Sequence, residues 1–97
     1  MITSRLPGFY KLPVTERRRL AADALGISVA ELDQALLGGG LDLSMADKTI
    51  ENVIGTYALP LALTLNMKMN GRDYLAPMAV EEPSVVAAAS AAARSVR

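Results

Sequence analysis

From Leu59 to Met69 every second residue is Leu or Met, with Pro60, Ala62, Thr64, Asn66 and Lys68 between them. A repeat of two is the period of a β-strand, whose successive side chains point to opposite faces, and differs from the 3.6-residue period of a helix. Asn70-Gly71 follows at once, the dipeptide favoured in a tight type I′ turn. Arg72 to Val80 can then return as the antiparallel partner, with Tyr74, Ala76, Met78 and Val80 sharing one face. The spacing predicts a β-hairpin over about 57–80, and a Leu and Met stripe of this kind is ordinarily core rather than the lining of a ligand site.

The rest of the chain reads as helices and connections, so the expected fold class is α+β. Pro7, Gly8 and Pro13 punctuate residues 1–13 and predict an extended arm whose apolar residues need another surface. Thr15 can cap a helix from Glu16 to about Leu25, with Leu20, Ala21, Ala24 and Leu25 on one face and Gly26 as its stop. Ser28 and Glu31 have capping-box spacing ahead of a second short helix that ends at Gly38-Gly39-Gly40. That triple glycine lacks the Gly-Lys-Ser/Thr of a phosphate loop and is read as a helix stop. Ser44 has capping spacing for a single helical turn before Glu51. After Pro83 the run from Ser84 through Arg94 is rich in alanine and predicts a helix from about 84 whose small side chains permit close approach by another backbone. Pro83 suits the first helical position or the one before it, which leaves Glu81 and Glu82 at the positive end of the helix dipole. The expected organisation is an arm over 1–13, short helices over 14–50, and a unit over 51–97 holding the hairpin and the start of a longer helix.

Composition closes off several classes of function. Ten Lys and Arg balance ten Asp and Glu, so no whole-chain field draws in nucleic acid or an anionic membrane. The triplet Arg17 to Arg19 points in different directions around its helix and reads as a solvated face, not a phosphate clamp. The sequence has no Cys and no His, which leaves only carboxylates for a metal and argues against a structural zinc site or an internal Ser-His or Cys-His pair. Charges at Arg5, Lys11 and Arg17 to Arg19 interrupt any signal-peptide run, and the longest apolar stretch, Tyr57 to Leu65, is far below the roughly 20 residues that span a bilayer. A soluble, cytoplasmic protein is expected, with no membrane and no nucleic-acid partner.

On the residues alone, Glu81 and Glu82 can both be solvated carboxylates at a strand-to-helix junction. Two segments add a more specific reading: Glu51-Asn-Val-Ile-Gly-Thr56, and Asn70-Gly-Arg-Asp73 continuing to Glu81-Glu-Pro-Ser-Val-Val-Ala-Ala-Ala-Ser90. In this order, and with the opening Ser4-Arg-Leu-Pro-Gly-Phe9, they resemble hydroxymethylglutaryl-coenzyme A reductase of class II, and the resemblance runs the length of the chain. It implies that the chain is the N-terminal part of a larger α/β oxidoreductase. Such an enzyme interconverts hydroxymethylglutaryl-CoA and mevalonate by two hydride transfers with NAD or NADP, through bound mevaldehyde. Each reduction builds charge on oxygen, and a neutral carboxylic acid beside that oxygen can donate a hydrogen bond or a proton.

By its position before Pro83, Glu82 matches the family's catalytic glutamate. Ser84 resembles the position that meets the carboxylate end of hydroxymethylglutarate, and it can equally be a simple helix cap. Glu51 and Asn52 fall in the family's dimerisation segment close to a shared active site, which implies a homodimer or higher homo-oligomer; Glu51 can also be a simple surface acid. The family's arm places an Arg near the coenzyme A phosphates. Here Tyr10 holds the aligned position and Lys11 follows, so Lys11 is the candidate cation, without the bidentate fork of Arg. The family's catalytic Lys, Asp and His and its dinucleotide-binding residues are expected beyond residue 97, so the 97-residue chain alone is expected to be inactive. The class II likeness leans towards NADH and mevalonate breakdown. The alternative is a non-catalytic dimerisation or interaction module built from the same helices and hairpin.

Overall fold

The structure is a computed structural model that describes residues 3–97. Its helices are α1 (Val14–Leu25), α2 (Val29–Leu36), α3 (Leu43–Thr49) and α4 (Val85–Val96), and its two strands are β1 (Leu61–Met69) and β2 (Arg72–Ala79). The first two residues of the expected arm lie outside the described residues. The remainder of the arm is irregular except for a 3-10 turn over Phe9–Lys11, entered through Gly8 at φ 74, which the Pro and Gly spacing did not predict.

α1 begins at Val14, ahead of the expected Glu16, because Pro13 rather than Thr15 is its N-cap: the Pro13 carbonyl accepts the Arg17 N–H at 3.0 Å. Proline needs no amide partner at a helix start and already holds a suitable φ. Gly26 ends the helix as expected, at φ 72 with its N–H directed to the carbonyls of Ala22 and Asp23. The covered face of α1 is Ala21, Ala22 and Ala24; Leu25, expected on that face, is exposed. Arg18 reaches Asp33 of α2 at 2.8 Å, and Arg19 pairs with Glu16 and Asp23 on its own helix. That solvated face accounts for two arginines of the triplet, whereas the Nε of Arg17 is buried without a hydrogen-bond partner.

α2 carries the full capping box, Ser28 Oγ accepting from Glu31 N–H and Glu31 from Ser28 N–H. Gly38, Gly39 and Gly40 all have positive φ, a run that L side chains resist, and so form the expected stop. α3 is capped by Asp42, whose carboxylate accepts Met45 N–H at 2.7 Å, so the expected cap Ser44 lies inside the helix. An aspartate satisfies an orphan amide and also places negative charge at the positive end of the dipole.

The hairpin closes through Asn70 at φ 52 and Gly71 at φ 76, the two positive values that a type I′ turn requires. Its register departs from simple alternation. Thr64 faces Ala76, but Met67 faces Tyr74, so Leu65 and Asn66 together oppose Leu75 in a β-bulge, with Asn66 at φ 65. An extra residue turns every later side chain to the other face. Leu61 and Leu63 therefore lie with Ala79 and Pro77, while Met67 and Met69 lie with Tyr74 and Arg72 on the face of Thr64. The expected single Leu and Met stripe is split between two faces, and the buried residue of β1 is Thr64, with Leu61 exposed.

α4 packs on β1, tied to the bulge by Ser90: its Oγ accepts Leu65 N–H at 2.9 Å and its carbonyl accepts the Asn66 side-chain amide at 3.2 Å. Pro83 precedes the N-cap Ser84, one position further out than expected. Among the described residues the buried apolar side chains are all alanines: Ala21, Ala22, Ala24, Ala46 and Ala93.

Candidate functional site

Glu82 and Ser84 line one open cleft of ≈ 280 Å³ with Pro60, Val80, Glu81, Pro83 and Val86. The cleft lies where β2 hands over to α4. Val80 N–H is held by the Pro60 carbonyl at 3.2 Å, which fixes the end of the hairpin just before the two glutamates. Both glutamates are exposed. Ser84 stands at the N-terminus of the 12-residue α4 with a left-handed backbone, φ 75 and ψ −9. Among the described residues the other non-glycine positions with positive φ are all asparagines, Asn52, Asn66 and Asn70. Asparagine tolerates this region by local hydrogen bonding of its amide, but serine has no such preference. Ser84 occupies the cap position and its carbonyl accepts Ala88 N–H at 2.9 Å, yet its hydroxyl makes no capping bond to the helix. The helix-cap alternative therefore holds for its backbone alone. What the local geometry offers is a hydroxyl, the free amides of a helix start and the carboxyl groups of two glutamates around one cleft.

The remaining sequence candidates are elsewhere. Glu51 lines a separate open cleft with Asp47, Lys48, Thr49 and Ile50 at the end of α3. Asn52 has φ 62 and is exposed, and Lys11 is exposed with its ammonium 5.7 Å from the Tyr10 ring centroid. Neither Glu51, Asn52 nor Lys11 lines the cleft of Glu82 and Ser84. The segment between α3 and β1 is irregular and presents its apolar side chains outward, Ile54 at 100% exposure and Tyr57 at 92%.

One cluster was not read from the sequence. Ser4, fully buried, donates its N–H to Asp73 Oδ2 at 2.9 Å, and its carbonyl accepts the Asn66 N–H at 2.8 Å. Its hydroxyl lies 2.9 Å from the Met67 carbonyl and 3.1 Å from Asp73 Oδ2, and having one proton it donates to one of them while accepting from Arg97 at 3.1 Å. Arg97 also reaches Asp73 at 3.2 Å and the Asn66 carbonyl at 3.2 Å. The Asp73 carboxyl is held below the usual carboxylate range, first by the Ser4 N–H, with burial opposing and the Ser4 hydroxyl and Arg97 adding to the effect. No local signal marks this cluster, because Ser4 and Asp73 are 69 residues apart and an Asp beside a hairpin turn reads as surface.

A family model described as hydroxymethylglutaryl-coenzyme A reductase matches residues 13–97. The chain belongs to the hydroxymethylglutaryl-coenzyme A reductase family. It is 56% identical over 96 residues to the 3-hydroxy-3-methylglutaryl-coenzyme A reductase of Archaeoglobus fulgidus, covering 99% of this chain and 22% of that protein. A probable reductase of Borreliella burgdorferi is 49% identical over 45 residues, or 46% of this chain and 10% of that one. The fold is similar to the Streptococcus pneumoniae enzyme, with a TM-score of 0.77 and 37% identity over 91% of this chain and 21% of that one. A class II structure from the same organism, bound to NADPH, superposes equally well and is covered to 24%. The chain thus spans about a fifth of the length of its full-coverage relatives. Among the described residues no helix is long and apolar enough to cross a membrane.

Proposed function

We propose that this chain forms the N-terminal part of a class II hydroxymethylglutaryl-coenzyme A reductase, with Glu82 as its catalytic acid. The observation that carries the reading is the pairing of Glu82 with a left-handed Ser84, whose hydroxyl makes no capping bond, in one cleft at the start of α4. Strain of this kind on a serine persists where the hydroxyl and amides of the turn are needed for something other than the helix. In the complete enzyme Ser84 and the first amides of α4 bind the free carboxylate of hydroxymethylglutarate. Glu82 donates a proton to the carbonyl oxygen on which negative charge develops during hydride transfer.

The hydride donor is NADH or NADPH, and the S. pneumoniae relative described with NADPH supports a dinucleotide partner of this kind. The substrate and product are hydroxymethylglutaryl-CoA and mevalonate, by two successive transfers, with coenzyme A released. Lys11, as a point cation on the arm, meets the coenzyme A phosphates. Glu51 and Asn52 lie at the contact between two copies, and the outward Ile54 and Tyr57 support a homodimer or larger homo-oligomer through this segment. The reaction takes place in the cytoplasm.

The decisive experiment replaces Glu82 with Gln in the complete protein. Turnover of hydroxymethylglutaryl-CoA should fall by about 10²- to 10⁴-fold, the usual contribution of a positioned general acid, with thermal midpoint and oligomer size unchanged. Full retained activity overturns the assignment. That result would leave this segment as a non-catalytic interaction module within the enzyme, for which the same apolar segment is the supporting observation.

A further inference from the structure

The cluster around Ser4 joins three segments distant in sequence: the N-terminal arm, the β-bulge and Arg97, the C-cap of α4. It differs from the surface ion pairs of α1 and α2 in being enclosed, with the side chains of Asp73 and Arg97 only 14% and 15% exposed against 51% and 40% for Asp33 and Arg18. Charged hydrogen bonds gain strength when shielded, and an enclosed carboxylate with several donors holds its partners in one geometry. The donors to Asp73 come from Ser4 through both backbone and side chain and from Arg97. Downstream of Ser4 the backbone hydrogen bonds of the arm are local, from Phe9 to Leu6, Lys11 to Gly8 and Leu12 to Phe9, and Tyr10 and Lys11 are exposed. Asp73 also belongs to β2, the strand that ends at the Glu82 and Ser84 cleft.

We propose that Asp73 is a positioning residue that latches the N-terminal arm, through Ser4, onto the bulge and so presents Lys11 at a set place relative to the Glu82 cleft. Its effect is on binding of the coenzyme A moiety and not on the reacting carbonyl. The inference rests on the reading of Lys11 as a coenzyme A contact. Asp73 does not touch the substrate; it acts by restricting where the arm can be, which lowers the ordering cost when a ligand is bound.

The test uses the complete protein and three variants: Asp73→Asn, Ser4→Ala, and a truncation that removes residues up to Lys11. Asp73→Asn should speed hydrogen exchange of the Ser4 and Asn66 amides. It should raise the dissociation constant for free coenzyme A, measured by calorimetry, about tenfold, the scale of one lost charged hydrogen bond. In the steady state the thioester KM should rise in parallel while kcat stays within about twofold, a split that a merely destabilised fold does not give. Ser4→Ala keeps the ion pair and should do the same to a smaller degree, which preserves the test if the Asn variant folds poorly. In the truncated protein Asp73→Asn should change nothing further. The proposal is overturned if the Asn effect persists without the arm, if kcat falls in step with the rise in KM, or if exchange quickens with coenzyme A binding unaltered. Absence of coenzyme A binding by the unsubstituted protein overturns it as well. The reductase reading itself fails on a different result, no turnover of hydroxymethylglutaryl-CoA by the unsubstituted complete protein, and the Glu82 assignment on retained turnover in Glu82→Gln.

Discussion

Ser84 and Asp73 have ordinary sequence surroundings but unusual structural settings, one a left-handed backbone and the other an enclosed carboxylate. A left-handed backbone costs a residue other than glycine about 1–2 kcal/mol, and Ser84 has that conformation at φ 75. Ser84→Gly should therefore stabilise the complete protein by about 1 kcal/mol, read as a higher thermal midpoint. The same change removes the hydroxyl and should raise the KM for hydroxymethylglutaryl-CoA by about tenfold, the worth of one hydrogen bond to a charged group. An unchanged KM would return Ser84 to a backbone role. The Glu-Pro-Ser run could be placed at a helix start from its residue types, but the handedness of Ser84 could not, since serine has no preference for it. Asp73 was invisible for a different reason, its partners being set by the docking of the arm. Its folded-state pKa is lowered, chiefly by the Ser4 N–H. In the unfolded chain an aspartate titrates near about 4. The stabilisation is therefore complete above that value and is lost as pH falls through the lower folded value, since protonation then favours the unfolded chain. Urea midpoints of the complete protein should drop below about pH 4 more steeply than those of Asp73→Asn. Parallel slopes would mean that the arm is held without the charge.

Among the elements, the hairpin turn, the stop of α1 and the start of α2 were legible because their signals are local: Asn70-Gly71 for two positive φ values, Gly26 for a left-handed stop, and Ser28 with Glu31 for a reciprocal capping box. The bulge was not, because apolar residues stand on both sides of it in the same alternating order, and nothing in that order marks where the faces exchange. What marks it is Asn66, an asparagine in an apolar strand, left-handed at φ 65, with its side chain bonded to the Ser90 carbonyl. The bulge in turn sets the site. It turns Met67 so that its carbonyl meets Ser4, and it frees Leu65 N–H for Ser90 on α4, whose other end begins at the cleft. Asn66→Gly keeps the backbone conformation and loses one hydrogen bond, so it should cost only about 1 kcal/mol. Asn66→Val also meets the left-handed penalty and the stiffness of a β-branched side chain, and should cost about 2–4 kcal/mol in chemical denaturation of the complete protein. Equal costs for the two would show that φ at this position relaxes freely.

At the scale of the whole molecule, what the chain leaves uncovered says as much as what it covers. Its buried apolar residues are alanines, and the largest fully buried side chain among the described residues is that of Ser4. A fully buried Leu, Ile or Phe contributes about 1.5–3 kcal/mol, whereas a methyl group gives only about 0.8 kcal/mol. Of the larger side chains that could supply such a core, many are only half-buried, such as Leu20, Leu63 and Leu65, and others are turned out, among them Ile50, Ile54, Tyr57 and Leu61. Sequence composition did not reveal this, because a 52% hydrophobic fraction is the same number whether its residues face one another or face a missing surface. The chain spans about a fifth of the length of its relatives, and under the proposed reading these faces are covered by the rest of the enzyme and by a second copy. The isolated 97-residue chain should therefore lack a cooperative thermal transition, bind a hydrophobic dye, and associate with itself at micromolar concentration. It should not oxidise NADH or NADPH with hydroxymethylglutaryl-CoA. Joined to the remainder of the enzyme, the same residues should show a cooperative transition and lose the dye. A sharp transition in the isolated chain would mean that the arm, hairpin and α4 form a self-sufficient unit despite an alanine core.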